Sequence, residues 1–285
     1  MVAFTPRRAA AALLILGLGQ ALGTGEVRAA DLLPPPPPEA APVAVGSGWY
    51  LRADLTESVY GRPSDNTRAD ANDPGMPPLV GLRLSEATGY GGGVGYHVTD
   101  WLRVDATVDD RGPGRYRAYS SRSNFTTGSN IEAAHVSALT GLVNVYADLG
   151  TWWGLTPYVG GGVGFSDMGV SHGYTQTTCV VEACDGIDGA GARTAVKRPN
   201  RSVAALAWAL SAGLSYALGG GFSLDAAYRY VEFGPAKSGL DSYSSGTRLK
   251  DIAANEFRVG LRYDLGDRFG TLPNLIGVGG SAYGN

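Results

Sequence analysis

Residues 256–265 read Glu-Phe-Arg-Val-Gly-Leu-Arg-Tyr-Asp-Leu, and this alternation decides the fold class. Phe257, Val259, Leu261, Tyr263 and Leu265 fall on one parity, and Glu256, Arg258, Gly260, Arg262 and Asp264 on the other. Successive side chains of a β-strand point to opposite faces, so such a strand has one apolar and one charged face. The same pattern recurs in Trp49, Leu51, Ala53 and Leu55 against Tyr50, Arg52 and Asp54. It recurs again in Leu102, Val104, Ala106 and Val108 against Arg103, Asp105, Thr107 and Asp109. Further segments near 91–98, 138–147, 157–166, 203–216 and 223–232 bring the expected strands to eight. Each has roughly the length that a tilted membrane strand needs.

The connections alternate in length. Thr99-Asp100, Asp148-Leu149-Gly150-Thr151 and Leu218-Gly219-Gly220-Gly221 are short, whereas polar stretches near 57–88, 110–134, 167–201 and 233–250 are long. Short turns on one side and long loops on the other are the habit of bacterial outer-membrane barrels. The expected fold is therefore all-β: an eight-stranded antiparallel up-and-down transmembrane barrel with long extracellular loops and short periplasmic turns. Trp49, Trp101, Trp152, Trp153 and Phe222 lie beside the chain start or the short turns, where they would form a periplasmic aromatic girdle. Tyr90, Phe165, Tyr230 and Phe233 are candidates for the opposite rim.

The ends speak to compartment. Arg7 and Arg8 precede the apolar run Ala9–Gly19, and Val27-Arg28-Ala29 offers small residues for cleavage, so residues 1–29 are expected to be a secretory signal peptide. No later stretch has the roughly 20 apolar residues of a membrane helix. Residues 30–47 include five consecutive prolines and are expected to be a semi-rigid periplasmic spacer. The barrel is assigned to 48–265 and a C-terminal tail to 266–285. The chain has 23 Lys and Arg against 26 Asp and Glu, and residues 1–29 hold three of the cations and one acid. The mature balance is more acidic still and argues against a nucleic-acid partner.

Gly91-Gly92-Gly93-Val94-Gly95 and Gly160-Gly161-Gly162-Val163-Gly164 are unlike phosphate loops, because each run lies within an alternating strand rather than before a helix. Inward glycine makes room in a narrow barrel, or lets an aromatic neighbour lie across it. Cys179 and Cys184 are expected to pair in an oxidising compartment, with a chain-entropy gain of roughly 2 kcal/mol for so short a loop. They lack companions for a metal shell, and no metal or cofactor is expected. His97, His135 and His172 are the available imidazoles, without a recognisable hydrolase motif around them, so no enzyme activity is expected. His135 and His172 with Tyr174 form an alternative surface ligand set for haem iron.

The inward parity carries Arg52, Asp54, Arg103, Asp105, Asp225, Arg229, Glu256, Arg258, Arg262 and Asp264. An eight-stranded barrel is just wide enough for its own side chains to fill it. Buried charges must be paired, so these residues are expected to form an Arg–carboxylate network that closes the lumen. Arg111, Arg115, Arg117, Arg122, Lys197, Arg198, Arg201, Lys237 and Lys250 fall in the long stretches, where contact with lipopolysaccharide phosphates is expected of some.

Gly48-Trp49-Tyr50-Leu51-Arg52-Ala53, Asn144–Gly150, Thr156–Gly164 and Phe257–Tyr263 together resemble the opacity-type, OmpA-like small barrels. Among these, the chain is similar to the alphaproteobacterial "porin family" surface antigens. The resemblance covers residues 48–265. It implies an eight-stranded barrel with structural and host-contact roles, haemin binding in some members, and no catalytic residues. The expected partners are outer-membrane lipids and lipopolysaccharide, periplasmic chaperones, the barrel-insertion machinery and a host surface ligand, with no nucleic acid. Gly260, Tyr263 and Leu265 match the insertion signal of the final strand, although such chains usually end there and this one continues. A low-conductance solute porin is the other function class, and it differs from surface contact by predicting flux.

Overall fold

The computed structural model describes residues 48–63, 65–70, 79–120, 126–182, 184, 186 and 188–266. The expected signal peptide, the expected Pro-rich spacer, Arg122 and the tail beyond Gly266 lie outside these residues. In chain order the strands are β1 (Trp49–Tyr60), β2 (Asp65–Asp70), β3 (Val80–Leu84), β4 (Ala87–His97), β5 (Leu102–Ser120) and β6 (Gly128–Asp148). They continue with β7 (Leu155–Cys179), β8 (Gly191–Ala192), β9 (Val196–Arg198), β10 (Arg201–Gly219), β11 (Phe222–Lys237) and β12 (Ser245–Asp264).

Eight of these strands form the wall. The antiparallel order runs β1-β4-β5-β6-β7-β10-β11-β12, and β12 pairs back with β1 from Tyr50↔Asp264 to Tyr60↔Ala254. That last ladder closes the ring and leaves no sheet edge in the wall, which is what a lipid-exposed sheet requires. Outward residues such as Leu55, Val108, Val143, Val163, Leu210 and Val259 are exposed and apolar. Their partners in alternation, among them Arg52, Asp105, Asn144 and Arg258, are buried inside.

The short turns lie at the same end as the chain start, and their backbones interlock. His97 N donates to Gly48 O, Asp148 N to Trp101 O, Ala217 N to Gly154 O and Asp264 N to Gly221 O. The β10–β11 hairpin turns through Gly220 and Gly221 at φ +62° and +84°. Two successive positive-φ residues match the twist of a tight hairpin and favour glycine strongly. Trp101, Trp152, Trp153 and Phe222 project outward at this end, and Trp49 packs edge-on against Tyr96 with ring centroids 5.2 Å apart.

The strands run much further than the sequence expectation. β6 has 21 residues and β7 has 25, about twice what a bilayer crossing needs. Much of the stretches 110–134 and 167–201 is thus a continuation of the wall, and β2 and β3 flank it on β12 and β5. Alternation persists there, with Tyr116, Ala118 and Ser120 buried and Arg115, Arg117 and Tyr119 exposed. The outward face is polar because it meets water and headgroups rather than acyl chains, so the apolar contrast that marks a strand is lost. A register shift between Arg111 and Gly114 moves the inward parity of β5 from odd to even. Pro113, which has no N–H to donate to the ladder, sits within it.

Phe233 departs from its expected place at the outer rim: it is fully buried inside the barrel. It shares the odd parity of Asp225 and Arg229, and period two alone carries it inward. Tyr90 and Phe165 are exposed on the outside and Tyr230 is half-buried there.

Inward glycines make room for tyrosines. A Cβ at Gly95 would strike the ring of Tyr50, one at Gly160 the ring of Tyr146, and one at Gly213 would lie 2.6 Å from Tyr158. Replacing Gly213 by Val should cost about 1–3 kcal/mol by overpacking. The measurement is the urea midpoint for loss of the compact band on unheated gels, which should fall relative to Gly213→Ser.

Candidate functional site

The interior of the barrel is the most distinctive chemistry in the molecule. Its lower half holds one continuous chain of ion pairs. Asp105 binds Arg52 (2.8 Å), Arg52 binds Asp54 (2.8 Å), and Asp54 binds Arg258 (3.0 Å). Arg258 continues to Asp109 (2.8 Å), Asp109 to Arg229 (3.0 Å), Arg229 to Glu256 (2.6 Å) and Glu256 to Arg111 (2.5 Å). Four carboxylates alternate with four guanidiniums, drawn from β1, β5, β11 and β12. The chain is neutral as a unit and each member is almost fully buried.

Neutral groups add further hydrogen bonds to the chain. Tyr50 Oη and Asn144 Nδ2 donate to Asp105, Ser58 Oγ donates to Glu256, and Arg111 Nη1 donates to Thr140 Oγ1. Arg103 stacks on Tyr146 and Tyr158 at 5.3 and 5.0 Å, and binds Asp148 bidentately at 2.7 and 2.8 Å. Arg262 approaches Asp225 at 3.5 Å and donates to Ser215.

Of the ten residues named from parity, Arg52, Asp54, Asp105, Arg229, Glu256 and Arg258 lie in this chain. Arg103, Asp225 and Arg262 form the two flanking pairs. Asp264 stands at the short-turn rim instead, with 42% of its side chain exposed and His97 Nε2 at 3.1 Å. Asp109 and Arg111 complete the chain, although parity reasoning had left Asp109 unassigned and placed Arg111 among the loop cations. Both share the odd parity of Arg103 and Asp105, which was the available signal.

Above the chain lies an apolar collar that the sequence reading missed. Val136, Ala138, Met168, Val231, Phe233 and Ile252 are each at most 1% exposed. The Arg111 guanidinium lies 4.8 Å over the Phe233 ring, joining the ionic and apolar layers. A second ionic cluster sits higher. Arg198, expected to be an outward loop cation, is buried and binds Glu132 (3.1 Å), Asp241 (3.6 Å) and Thr247 (2.8 Å). Its strand β9 pairs with β7 at Gly173↔Arg198 and turns the guanidinium inward.

At the far end of β7, buried Cys179 forms a disulfide with Cys184. His135 and His172 meet edge-on with ring centroids 5.5 Å apart on the outer wall, and His172 Nδ1 lies 3.3 Å from Ser171 Oγ. Among the described residues no group of three or more His, Cys, Asp or Glu is placed to hold a metal ion. Gly260 lies opposite Asp54 and Asp225, Tyr263 packs on Phe222 with centroids 4.5 Å apart, and Leu265 N donates to Trp49 O.

Removing one member of a buried ion pair strands its partner, at about 3–5 kcal/mol. Glu256→Ala leaves Arg111 and Arg229 short of a counter-charge, so a loss of that size in folding free energy is expected from urea titration in lipid vesicles. The double change Arg111→Met, Glu256→Met removes a neutral pair from the end of the chain, leaves Arg229 on Asp109, and should cost less than Glu256→Ala alone.

The sequence comparisons agree with this architecture. The family described as outer membrane protein beta-barrel domain matches residues 38–264. A Rickettsia prowazekii protein bearing the name "Putative adhesin" is 24% identical over 229 residues, covering 78% of this chain and 89% of that one. An uncharacterised Brucella abortus protein is 28% identical over 304 residues, covering 90% of this chain and 99% of that one. The crystal structure of OprG, an outer-membrane protein of Pseudomonas aeruginosa, aligns with a TM-score of 0.44 at 15% identity, over 76% of this chain and 96% of that one. The family match spans the whole closed wall from β1 to the end of β12, and with it the ionic interior. This chain belongs to the outer-membrane protein β-barrel domain family and resides in the outer membrane.

Proposed function

We propose that this protein is a sealed, non-catalytic barrel that supports the envelope and displays its long-strand end for contact at the cell surface. The observation that carries the reading is the division of the molecule into a filled interior and a projecting wall. The ion-pair chain and the apolar collar occupy the lumen in succession, so a diffusing solute would have to displace paired charges and then cross a layer without hydrogen-bonding partners. Apolar constrictions of this kind resist hydration and ion passage. This favours surface contact over a solute porin.

The strand lengths support the display role. β5, β6 and β7 rise well past the bilayer and carry a disulfide-bound tip at Cys179 and Cys184. Relatives named as adhesins add to it. The partners of this reading are outer-membrane lipids, the barrel-insertion machinery and its chaperones during assembly, and a host surface ligand at the tip. Gly260, Tyr263 and Leu265 are proposed to serve as the insertion signal.

The test compares cells displaying the intact chain with cells displaying a tip-trimmed version, in which residues 180–195 become a Gly-Ser turn and Cys179 becomes Ser. Attachment to host-cell monolayers should fall to the level of cells without the protein, while the trimmed barrel still shows heat-modifiable migration. Unchanged attachment, or faster uptake of a small sugar by cells bearing the intact chain, would overturn the reading.

A further inference from the structure

The outer wall carries an arginine cluster that neither the sealed interior nor the tip explains. Arg83 on β3 and Arg117 on β5 are direct cross-strand partners, and Arg115 follows on the same face of β5. All three are exposed. Among the described residues none of the three has an ion pair. Like charges directly opposite each other in a sheet are destabilising, so the pairing of Arg83 with Arg117 calls for an anion between them.

The cluster also has a shape. The three arginines, Leu84, Ser85 and Tyr119 surround a hollow of about 670 Å³ on the wall. Its frame is held by two bonds: Arg115 N donates to Ser85 Oγ (2.8 Å) and Ser85 N donates to Arg115 O (3.0 Å). The cationic row continues round the barrel. Arg117 pairs with Ala133, Ala133 with Tyr174 and Tyr174 with Lys197, which places exposed Lys197 on the same level.

Height identifies the anion. The outward apolar positions of β5 end at Val108, and the first polar position above is Asp110, which accepts a hydrogen bond from Tyr90 Oη (3.3 Å). A strand tilted by about 40° climbs roughly 2.5 Å per ladder step, so Arg115 and Arg117, paired with His135 and Ala133 where Asp110 pairs with Leu139, stand about 10–15 Å above Asp110. They face sideways, into the layer surrounding the barrel, rather than upward into the medium. With β5 directed outward, as in the display reading on which this inference rests, that layer holds the phosphorylated inner sugars of lipopolysaccharide. Guanidinium forks match phosphate oxygens in geometry as well as charge.

We propose that Arg83, Arg115 and Arg117 form a side-facing site for lipopolysaccharide phosphates, clamping a surrounding lipid to the wall below the tip. The test uses the full-length protein folded in zwitterionic micelles and titrated with purified deep-rough lipopolysaccharide, followed by native mass spectrometry. The wild type should bind saturably. The variant Arg83→Gln, Arg115→Gln, Arg117→Gln should bind at least tenfold more weakly, and dephosphorylated lipopolysaccharide should lose at least tenfold on the wild type. Arg→Lys replacements at the three positions should recover part of the affinity, since charge remains without the fork. If the triple Gln variant loses heat-modifiable migration, Arg117→Gln alone serves, with about a threefold loss expected.

Equal affinity of the variant, or equal binding of the dephosphorylated lipid, would overturn the proposal. So would saturable binding of heparin without binding of lipopolysaccharide, which would assign the cluster to a soluble polyanion. Host-cell attachment by the triple variant separates the two readings: attachment intact with lipid binding lost leaves the display role standing.

Discussion

The structure depends on neutralising charge inside a cylinder too narrow to hydrate it. An eight-stranded wall leaves an interior that side chains must fill, and this wall sends Arg52, Arg111, Arg229 and Arg258 into it. Each is tolerable only because Asp54, Asp105, Asp109 and Glu256 arrive between them, with Arg52–Asp105, Arg111–Glu256 and Arg258–Asp109 joining strands that do not neighbour each other in the wall. Replacing such a network with well-packed apolar groups is often neutral or stabilising, whereas breaking it in one place is costly. The network therefore acts most strongly on register. A one-residue slip of β12 against β1 would turn Glu256, Arg258 and Arg262 toward lipid and apolar residues into the lumen.

The same constraint orders the interior along the axis. Rings of Tyr50, Tyr146 and Tyr158 lie over backbone at Gly95, Gly160 and Gly213 and pack around the lower charges. The chain ends where Arg111 lies over Phe233, and there the apolar collar begins. Arg198 with Glu132 and Asp241 then ties the outer strands and β9 together above it. The inside is thus devoted to closure, and the features available for contact lie on the outer wall and at the tip.

Much of this was legible in the sequence, because period two is a local signal. The eight strands, their hairpin order, the short-turn end and most inward charges follow from alternation and turn spacing. Asp109, Arg111 and Phe233 were equally legible, since each continues the parity of Asp105 or Arg229; Asp109 closed the charged face of its strand, and assigning Arg111 to a loop and Phe233 to a rim ended the strands too early. That error has a physical origin. Beyond the bilayer the outward face turns polar, so Arg115, Arg117 and Tyr119 read as loop although they alternate with buried Tyr116, Ala118 and Ser120. Arg198 was not legible, because its inward turn depends on β9 pairing with β7, more than twenty residues back along the chain. The pairing of Arg83 with Arg117 likewise depends on where β3 docks.

The central claim is that the charge chain and the collar seal the lumen. Planar-bilayer recording of the purified full-length protein tests it directly. The structure predicts a quiet membrane at moderate voltage, with no stable open level. A steady, voltage-independent conductance of the size seen for a water-filled pore would contradict it.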